Sequence, residues 1–265
     1  MKNLGILVFG HTRPFLLADT LKSLQLQDAL KYVDVWIDGA QASPELKQRV
    51  EKTQKITESF PIKKRFFHNG QLGFRKLILL AMQHAINHYE NIIFLEDDCF
   101  PTHTAVSVFM EELEAIRNNP EIFSTYGHHF GMAEDSGRCS RFQGWGWATT
   151  AEKLAPYLTK LFELYSMYEA EYLQFTEAAM TPELLARLDV TPPRLPSVTL
   201  KKFFAWDETL ALLTAMDNKC HKPTSTRVIY NCGFGKDASR FRAHPILLRP
   251  PYNMISHDDV WKFFK

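Results

Sequence analysis

The sequence predicts an α/β fold in which helices cover both faces of a doubly wound sheet. Between residues 4 and 98, short apolar segments alternate with amphipathic segments of helical spacing at least three times. The connections between these segments are short, which favours parallel strands joined by right-handed crossovers. The 265 residues are enough for one large domain of this class or for two small ones.

The first half of the chain supplies the predicted sheet. Residues 4–9 form an unbroken apolar run, as expected of a strand that is buried on both faces. Pro14 and the pair Ser43-Pro44 suit helix starts, because serine caps a helix and proline is favoured in its first turn. The predicted strands are residues 4–9, 32–38, 62–68 and 91–98, and the predicted helices start near residue 14 and span 43–56 and 74–89.

The second half is less regular and contains no clear domain boundary. Its predicted elements are a helix over 103–119, a loop over GWGWATT (144–150), mostly helix over 151–190, a helix over 206–218 and a strand over 225–231.

Composition and charge exclude several classes of function. The formal net charge of +1 argues against a protein that follows nucleic-acid phosphates. The four cysteines form no CxxC pair, which disfavours a structural zinc site and indicates reduced thiols. The apolar segment near the N-terminus is too short for a signal-peptide core or a membrane span. We therefore expect a cytoplasmic protein with at most peripheral membrane association.

Three consecutive acids, Glu96, Asp97 and Asp98, follow the apolar run 91–95. Adjacent carboxylates repel one another and are unfavourable to desolvate, so their position beside a buried strand needs a reason. Hard cations such as Mn²⁺ or Mg²⁺ prefer carboxylate oxygens, and a diphosphate would supply further ligands. In an extended strand tip, Glu96 and Asp98 would point to one side and Asp97 to the other. A solvated strand end or a helix cap is the simpler alternative.

Other strand ends carry candidate nucleotide contacts. Asp38 could accept a hydrogen bond from the N3–H of uracil or thymine. The planar Arg13 guanidinium could donate paired hydrogen bonds to a phosphate or a base. The turn HNGQLGFRK (68–76) adds Asn69 and Arg75 beside two glycines, which would allow a nucleotide-sugar to approach closely. Asp38 could instead be an ordinary turn residue, Arg13 a surface arginine, and residues 68–76 an ordinary strand-to-helix turn.

The second half offers candidates for sugar contact and proton transfer. On a strand, Trp145 and Trp147 would lie on the same face. They could stack on a sugar or belong to the core, and Trp206 is a third candidate for sugar stacking. Asp207 is a candidate general base, since a neighbouring aromatic side chain can keep a carboxylate partly desolvated. It could equally cap the following helix, and Glu208 is the second choice of base.

The segment NCGFGKDASRFRAHP (231–245) combines glycines with basic residues. Lys236, Arg240 and His244 could close over a diphosphate as a lid, or His244 could ligate the metal. A basic surface loop is the alternative.

In this order, the motifs GHTRP, FLEDDCFP, GWGW, WDE and NCGFGKDAS resemble those of GT-A-type glycosyltransferases. The similarity is greatest to the Golgi N-acetylglucosaminyltransferase I type and to bacterial family-2-like sugar transferases. It implies one GT-A-like catalytic domain over 1–265, with a Rossmann-like nucleotide-sugar-binding half (1–101) and a half for the acceptor and the catalytic base (102–265). The implied reaction is metal-dependent transfer of a sugar, with inversion, from a nucleoside-diphosphate sugar to a glycan or lipid-linked hydroxyl.

The resemblance also implies a role for each matching residue. Arg13 and Asp38 would contact the nucleotide, Asp97 the ribose and Asp98 the metal. Glu96 would lie near the transferred sugar, and Asp207 would be the base. Arg240 replaces the histidine that bacterial relatives often have, which leaves open whether a basic residue grips the diphosphate or Asp98 and water alone hold the metal.

Two other classes of function remain as alternatives. A nucleotidyltransferase that forms a nucleotide-sugar uses a similar sheet and acidic ligands, but GHTRPF (10–15) lacks its glycine-rich, basic phosphate loop. A sugar-binding module without catalysis is the other alternative, and the intact acidic triplets disfavour it.

Overall fold

The computed structural model is an α/β fold around one large sheet and describes residues 3–41, 43–131, 137–188, 205–235 and 243–264. The strands are β1 (Leu4–Gly10), β2 (Val33–Ile37), β3 (Lys64–Phe67), β4 (Asn91–Glu96), β5 (Cys99–Pro101), β6 (Ile122–Tyr126), β7 (Trp147–Thr150), β8 (Cys220–Pro223) and β9 (Ile229–Asn231). The helices are α1 (Pro14–Leu26), α2 (Pro44–Glu58), α3 (Phe74–His88), α4 (Ala105–Ile116), α5 (Ala151–Ser166), α6 (Glu169–Ala179), α7 (Pro182–Leu188) and α8 (Trp206–Met216). The 3₁₀ helices within the described ranges span Leu30–Tyr32, Pro245–Leu248 and His257–Phe263.

The large sheet has seven strands in the order β3–β2–β1–β4–β7–β6–β8. Strands β3, β2, β1 and β4 run parallel, whereas β7 is antiparallel to both of its neighbours, and β6 pairs with β8 in parallel. Strands β5 and β9 form a separate antiparallel pair. The parallel half confirms the predicted doubly wound sheet, and the mixed half extends the same sheet into the second half of the chain.

Local signals in the first half of the sequence placed its elements well. All seven residues of β1 are buried, as an unbroken apolar run predicts. Ser43 is the N-cap of α2, and its hydroxyl accepts a hydrogen bond from the Leu46 amide (3.4 Å), with Pro44 in the first turn.

The prediction of a loop over 144–150 was wrong in its second half, where Trp147–Thr150 forms the central strand β7. Gly146 precedes this strand with a φ of +67°, and a Cβ on it would lie 2.7 Å from the Ile229 side chain. Glycine is therefore required at position 146 because the backbone packs closely against Ile229 just before β7 begins, and not because the segment is a flexible loop. Strands β5, β6 and β8 were not predicted.

Apolar side chains fill both faces of the sheet. One core lies between the sheet and helices α3, α5 and α8, and Trp147 stacks on Phe94 within it at 4.2 Å between ring centroids. The other lies under α1, α2 and α4. Among the described helices, none is long and apolar enough to cross a membrane.

A buried histidine ties β8 to its surroundings. His221 is fully buried, with Nδ1 2.8 Å from the Ser124 hydroxyl and Nε2 3.4 Å from the Thr214 hydroxyl. Burial, with a smaller contribution from the Arg187 charge, lowers the pKa of His221 to about 3. The folded protein therefore keeps this imidazole neutral at pH values where an unfolded chain protonates it.

We expect this histidine to make stability fall with acidity. Below the ordinary pKa of about 6.5 the unfolded state binds a proton that the folded state excludes, so the free energy of unfolding falls by about 2 kcal/mol by pH 5. Urea unfolding of wild type and His221→Asn between pH 7 and pH 4.5 measures this. In His221→Asn, the free energy of unfolding should fall less steeply as the pH is lowered. His103→Asn, at an exposed position, should show the wild-type pH dependence. Parallel curves of unfolding free energy against pH for wild type and His221→Asn would contradict this role of His221.

Candidate active site

The candidate site lies where the parallel strands end. Strand β4 ends at Glu96, and Asp97 and Asp98 form a turn that leads directly into β5. The expectation that the acids alternate along an extended tip was therefore wrong, because the chain reverses at the second and third acids. Both aspartates are buried, with 3% and 7% of their surface exposed.

Arg13, at the end of the β1–α1 connection, contacts both aspartates. Its Nη1 lies 2.7 Å from Asp98 Oδ2, its Nε donates to Asp97 Oδ2 at 3.3 Å, and its Nη2 donates to Asp97 Oδ1. Burial alone would lower the pKa of Arg13, but the carboxylates of Asp97 and Asp98 outweigh it and raise that pKa above its ordinary value. This guanidinium thus compensates the acidic turn.

One guanidinium does not balance the acids around it. Burial, together with the charges of Asp98 and Asp207, raises the pKa of Glu96 to about 8 against the opposing effect of Arg13. Burial also raises the pKa of Asp97 to about 6, although Arg13 opposes that shift. Ionisation of all these acids together is therefore unfavourable with Arg13 as their described counter-charge, so a bound cation would be favoured here.

The segment 231–233 holds Asp98 from the other side. The Cys232 amide donates to the Asp98 carbonyl at 2.9 Å, and the Asn231 side chain accepts from the Gly233 amide at 2.9 Å. A Cβ on Gly233 would lie 2.0 Å from Asp98 Oδ2, so only glycine lets the backbone approach this carboxylate. The position of the carboxylate is therefore fixed by backbone from the far end of the chain.

These residues fit a hard divalent cation. In the described part of the chain, no three His, Cys, Asp or Glu side chains converge as a complete ligand set. A site completed by phosphate oxygens and water needs fewer protein ligands, and Mg²⁺ in particular is commonly bound by one or two carboxylates. Asp98 and its neighbours supply oxygen donors with excess negative charge, as such a site requires.

Asp38 braces the turn that follows β3. Its Oδ1 accepts from the amides of Gly39 (2.9 Å) and Leu72 (2.8 Å), and its Oδ2 accepts from the Gly73 amide (2.9 Å). This role could not be predicted from the sequence, because Leu72 and Gly73 lie on a different strand-to-helix connection. Asn69, at the tip of the same turn, is exposed.

His68 is a residue of this region that the sequence analysis missed. It follows β3, its amide donates to the Ile37 carbonyl at 3.2 Å, and its Nε2 is buried with no hydrogen-bond partner among the described residues. A histidine at the end of a predicted strand was the signal that could have identified it.

Arg75 faces the second half of the chain. Its guanidinium lies over the ring of Tyr165 at 4.6 Å from the centroid, in cation–π geometry. The Tyr165 hydroxyl in turn donates to Thr209 in α8 at 2.8 Å. Arg75 therefore links the helix after the turn that Asp38 braces to the helix that carries Asp207.

Asp207 lies in the first turn of α8, which begins at Trp206 with Ala205 as N-cap. The alternative of a capping aspartate was therefore wrong. A Cβ on Gly144 would lie 3.6 Å from Asp207 Cβ, which places the GWGW segment beside this carboxylate. The charge of Asp207 contributes to the raised pKa of Glu96, so the two carboxyl groups lie close enough to interact electrostatically. Glu208 points elsewhere, to an ion pair with Arg141.

The three tryptophans separate into two environments. Trp147 and Trp206 are 1% and 6% exposed, and both pack in the core between the sheet and α8. The expectation that these two indoles stack on a sugar was wrong, because their faces meet other aromatic rings. Trp145 is only partly buried, with His128 at 5.1 Å and Phe130 at 5.4 Å between ring centroids, and stays a candidate platform.

The basic segment is described only in part. Lys236 and Arg240 lie outside the described residues. His244 is exposed, and its Nδ1 accepts from the Ile246 amide at 3.2 Å, as the N-cap of a 3₁₀ helix.

We expect Arg13→Gln to destabilise the fold by about 3 kcal/mol, since removing one partner of a buried pair leaves the other charge uncompensated. Urea unfolding at pH 7 measures the loss. Arg138→Gln is the matched control, because its ion pair with Glu121 is exposed and should contribute less than about 1 kcal/mol. Equal losses in the two variants would contradict the view that Arg13 compensates the acidic turn.

Comparison with known proteins gives structural similarity only. No protein-family description and no curated protein sequence matches the chain. Among solved structures, the mannosyltransferase PcManGT from Pyrobaculum calidifontis, in complex with GDP-Man and Mn²⁺, is 15% identical, with a TM-score of 0.44 over 59% of this chain and 47% of that one.

Two further matches come from different enzyme classes. A cytidylyltransferase from Leptospira borgpetersenii is 14% identical, with a TM-score of 0.41 over 64% of this chain and 66% of that one. Glucosyl-3-phosphoglycerate synthase from Mycobacterium tuberculosis, in complex with Mn²⁺ and UDP, is 10% identical, with a TM-score of 0.39 over 57% of each chain. The chain spans about half the length of the mannosyltransferase that it matches.

Proposed function

We propose that this chain is an inverting, metal-dependent glycosyltransferase of the GT-A type. It transfers a sugar from a nucleoside-diphosphate sugar, with UDP favoured by the motif resemblance, to a hydroxyl of a glycan or lipid-linked acceptor. Synthesis of bacterial surface polysaccharide or lipopolysaccharide, on the cytoplasmic side of the membrane, is the setting that we propose for it.

One observation supports this proposal above the others. A buried acidic turn at the end of a parallel strand, with excess negative charge, lies within electrostatic range of a second carboxylate at the N-terminus of α8. The first group suits a cation and a diphosphate, and the second suits proton removal from a hydroxyl that attacks beside them.

Each residue of the site has a proposed part in the reaction. Asp98 holds the cation, with Asp97 oriented by Arg13 toward the ribose side of the site. Asp207 accepts the proton of the acceptor hydroxyl as its oxygen attacks the anomeric carbon from the face opposite the leaving group, so the configuration inverts without a covalent intermediate. Glu96 lies between these groups, beside the transferred sugar.

A divalent ion bound by Asp98 would supply Lewis-acid stabilisation of the departing nucleoside diphosphate. The chain itself contributes the fixed position of that carboxylate. Gly233 and the Cys232 amide hold Asp98 in place, and the Asp38 carboxylate fixes the turn through which Asn69 and His68 approach the nucleotide. For Trp145, contact with the acceptor or the transferred sugar is the proposed role, and for Lys236, Arg240 and His244 it is contact with the diphosphate.

We expect UDP with Mn²⁺ to raise the melting temperature of the wild type, because a ligand at about 100 times its Kd adds about 2.7 kcal/mol to the stability of the folded state. Screening UDP-, GDP- and dTDP-sugars with and without Mn²⁺ by thermal shift identifies the donor. Asp98→Ala should abolish the Mn²⁺-dependent part of the shift.

A steric variant separates the geometry of this site from its charge. Gly233→Ala keeps every charge but places a methyl group against Asp98, so it should weaken the same shift. Gly137→Ala is the control, because a Cβ there meets nothing within 4 Å. A Mn²⁺-dependent shift of wild-type size in Asp98→Ala would exclude this carboxylate as the metal ligand.

We expect Asp207→Asn to bind UDP and Mn²⁺ like the wild type but to transfer sugar about 10²- to 10⁴-fold more slowly, the usual contribution of a general base. Initial rates of UDP release, beside binding measured by calorimetry, separate the two effects. Turnover at the wild-type rate would remove Asp207 from this role. Release of pyrophosphate from UTP or CTP with a sugar phosphate would instead favour the nucleotidyltransferase alternative.

A further inference from the structure

Arg141 joins two helix ends beside the candidate base. Its side chain is 5% exposed, its Nη1 donates to the Leu188 carbonyl at 2.9 Å, and its Nη2 pairs with Glu208 Oε2. Leu188 is the last residue of α7, and Glu208 lies in the first turn of α8. One buried guanidinium therefore bridges the C-terminus of one helix and the N-terminus of the next.

The charges of this bridge match the polarity of both helices. A cation is favoured at a helix C-terminus and an anion in the first turn of a helix, because of the partial charges that unpaired backbone groups leave there. The planar fork of arginine can donate to a carbonyl and a carboxylate at the same time, which a lysine ammonium does with less directional control.

The backbone that carries Arg141 is attached to the sheet. Cys139 forms both backbone hydrogen bonds of an antiparallel bridge with His221 in β8, at 2.9 and 2.8 Å. The Ser140 hydroxyl donates to the Arg187 carbonyl at 2.7 Å, one residue before the Leu188 contact. The first turn of α8 is thus connected through a short, buried segment to a strand of the main sheet.

Asp207 precedes Glu208 in that same turn. Because consecutive helical residues point about 100° apart, fixing the direction of one side chain fixes where the other points. A small rotation of the first turn would move the Asp207 carboxylate relative to Glu96, with which it interacts electrostatically, and relative to Gly144, which lies beside it.

We propose that Arg141 is a positioning residue, which sets the orientation of Asp207 through its ion pair with Glu208. This inference rests on the proposed glycosyltransferase function for its kinetic readout. Glu208 then anchors the first turn of α8, and Asp207 accepts the proton.

The test compares three variants with the wild type. Arg141→Gln breaks the ion pair, Arg141→Lys keeps the charge but loses the fork, and Arg138→Gln removes a surface ion pair three positions away as the control. For each protein, the kcat and donor KM of UDP release, the Kd of UDP with Mn²⁺ and the melting temperature are measured, with assays well below the lowest melting temperature. Hydrogen exchange of the amides in 206–210 reports on the first turn of α8 directly.

We expect Arg141→Gln to lower kcat about 100-fold, the usual effect of a displacement near 1 Å, while donor KM and the Kd of UDP stay within about twofold of wild type. Exchange in the first turn of α8 should rise, and Arg141→Lys should restore part of kcat. Arg138→Gln should match the wild type.

Two results would overturn the inference. One is a kcat of wild-type size in folded Arg141→Gln. The other is a loss of UDP binding as large as the loss of kcat, which would indicate general disruption of the fold. A wild type that neither binds UDP with Mn²⁺ nor releases UDP refutes the proposed function itself, whereas an active wild type with an equally active Arg141→Gln refutes only the positioning role.

Discussion

The arrangement of this protein depends on carboxylates crowded at the end of a buried strand. Glu96, Asp97 and Asp98 share one described guanidinium, that of Arg13, in a region largely removed from water. Burial and mutual repulsion make the ionised forms unfavourable, as the raised pKa of Glu96 shows. A fold can retain such unfavourable carboxylates where binding of a cation would offset the loss of stability. Side chains with perturbed pKa values concentrate at functional sites.

The surrounding structure limits how these carboxylates can move. The β4 strand is a rigid support because β1 pairs with it in parallel on one side and β7 pairs with it antiparallel on the other. Gly233 presses backbone against Asp98, and the Thr20 hydroxyl donates to the Asp97 carbonyl at 3.0 Å. The two aspartates are therefore held by contacts from Arg13 and Thr20 on one side and from residues 232–233 on the other.

The opposite wall of the site is built on helices rather than on the strand. Asp207 stands at the start of α8, whose direction is set by Arg141 and by the cluster of tyrosine hydroxyls around Thr209. Arg75 reaches this cluster from α3, which begins at the turn that Asp38 braces. The turn that Asp38 braces and the first turns of α8 are thus connected through a continuous chain of side-chain contacts.

The sequence by itself determined the parallel half of the fold and the location of the acidic turn. Unbroken apolar runs, helix caps and prolines are local signals, so β1 to β4 and α1 to α3 could be predicted from neighbouring residues alone. The strands β6, β7 and β8 could not, because they are short and their pairing with distant strands, rather than their own periodicity, makes them strands. The acids at 96–98 were evident as a cluster, yet an extended tip was predicted where the chain turns.

Only the tertiary structure decided what these polar residues contact. Asp38 accepts hydrogen bonds from the amides of Leu72 and Gly73, Trp147 and Trp206 are core residues, and Glu208 is held by Arg141, since these partners lie far away in sequence. A sequence records which side chains can bind a cation or move a proton. Burial and partners fix which of them do so, because the free energy of a charge depends on the atoms packed around it.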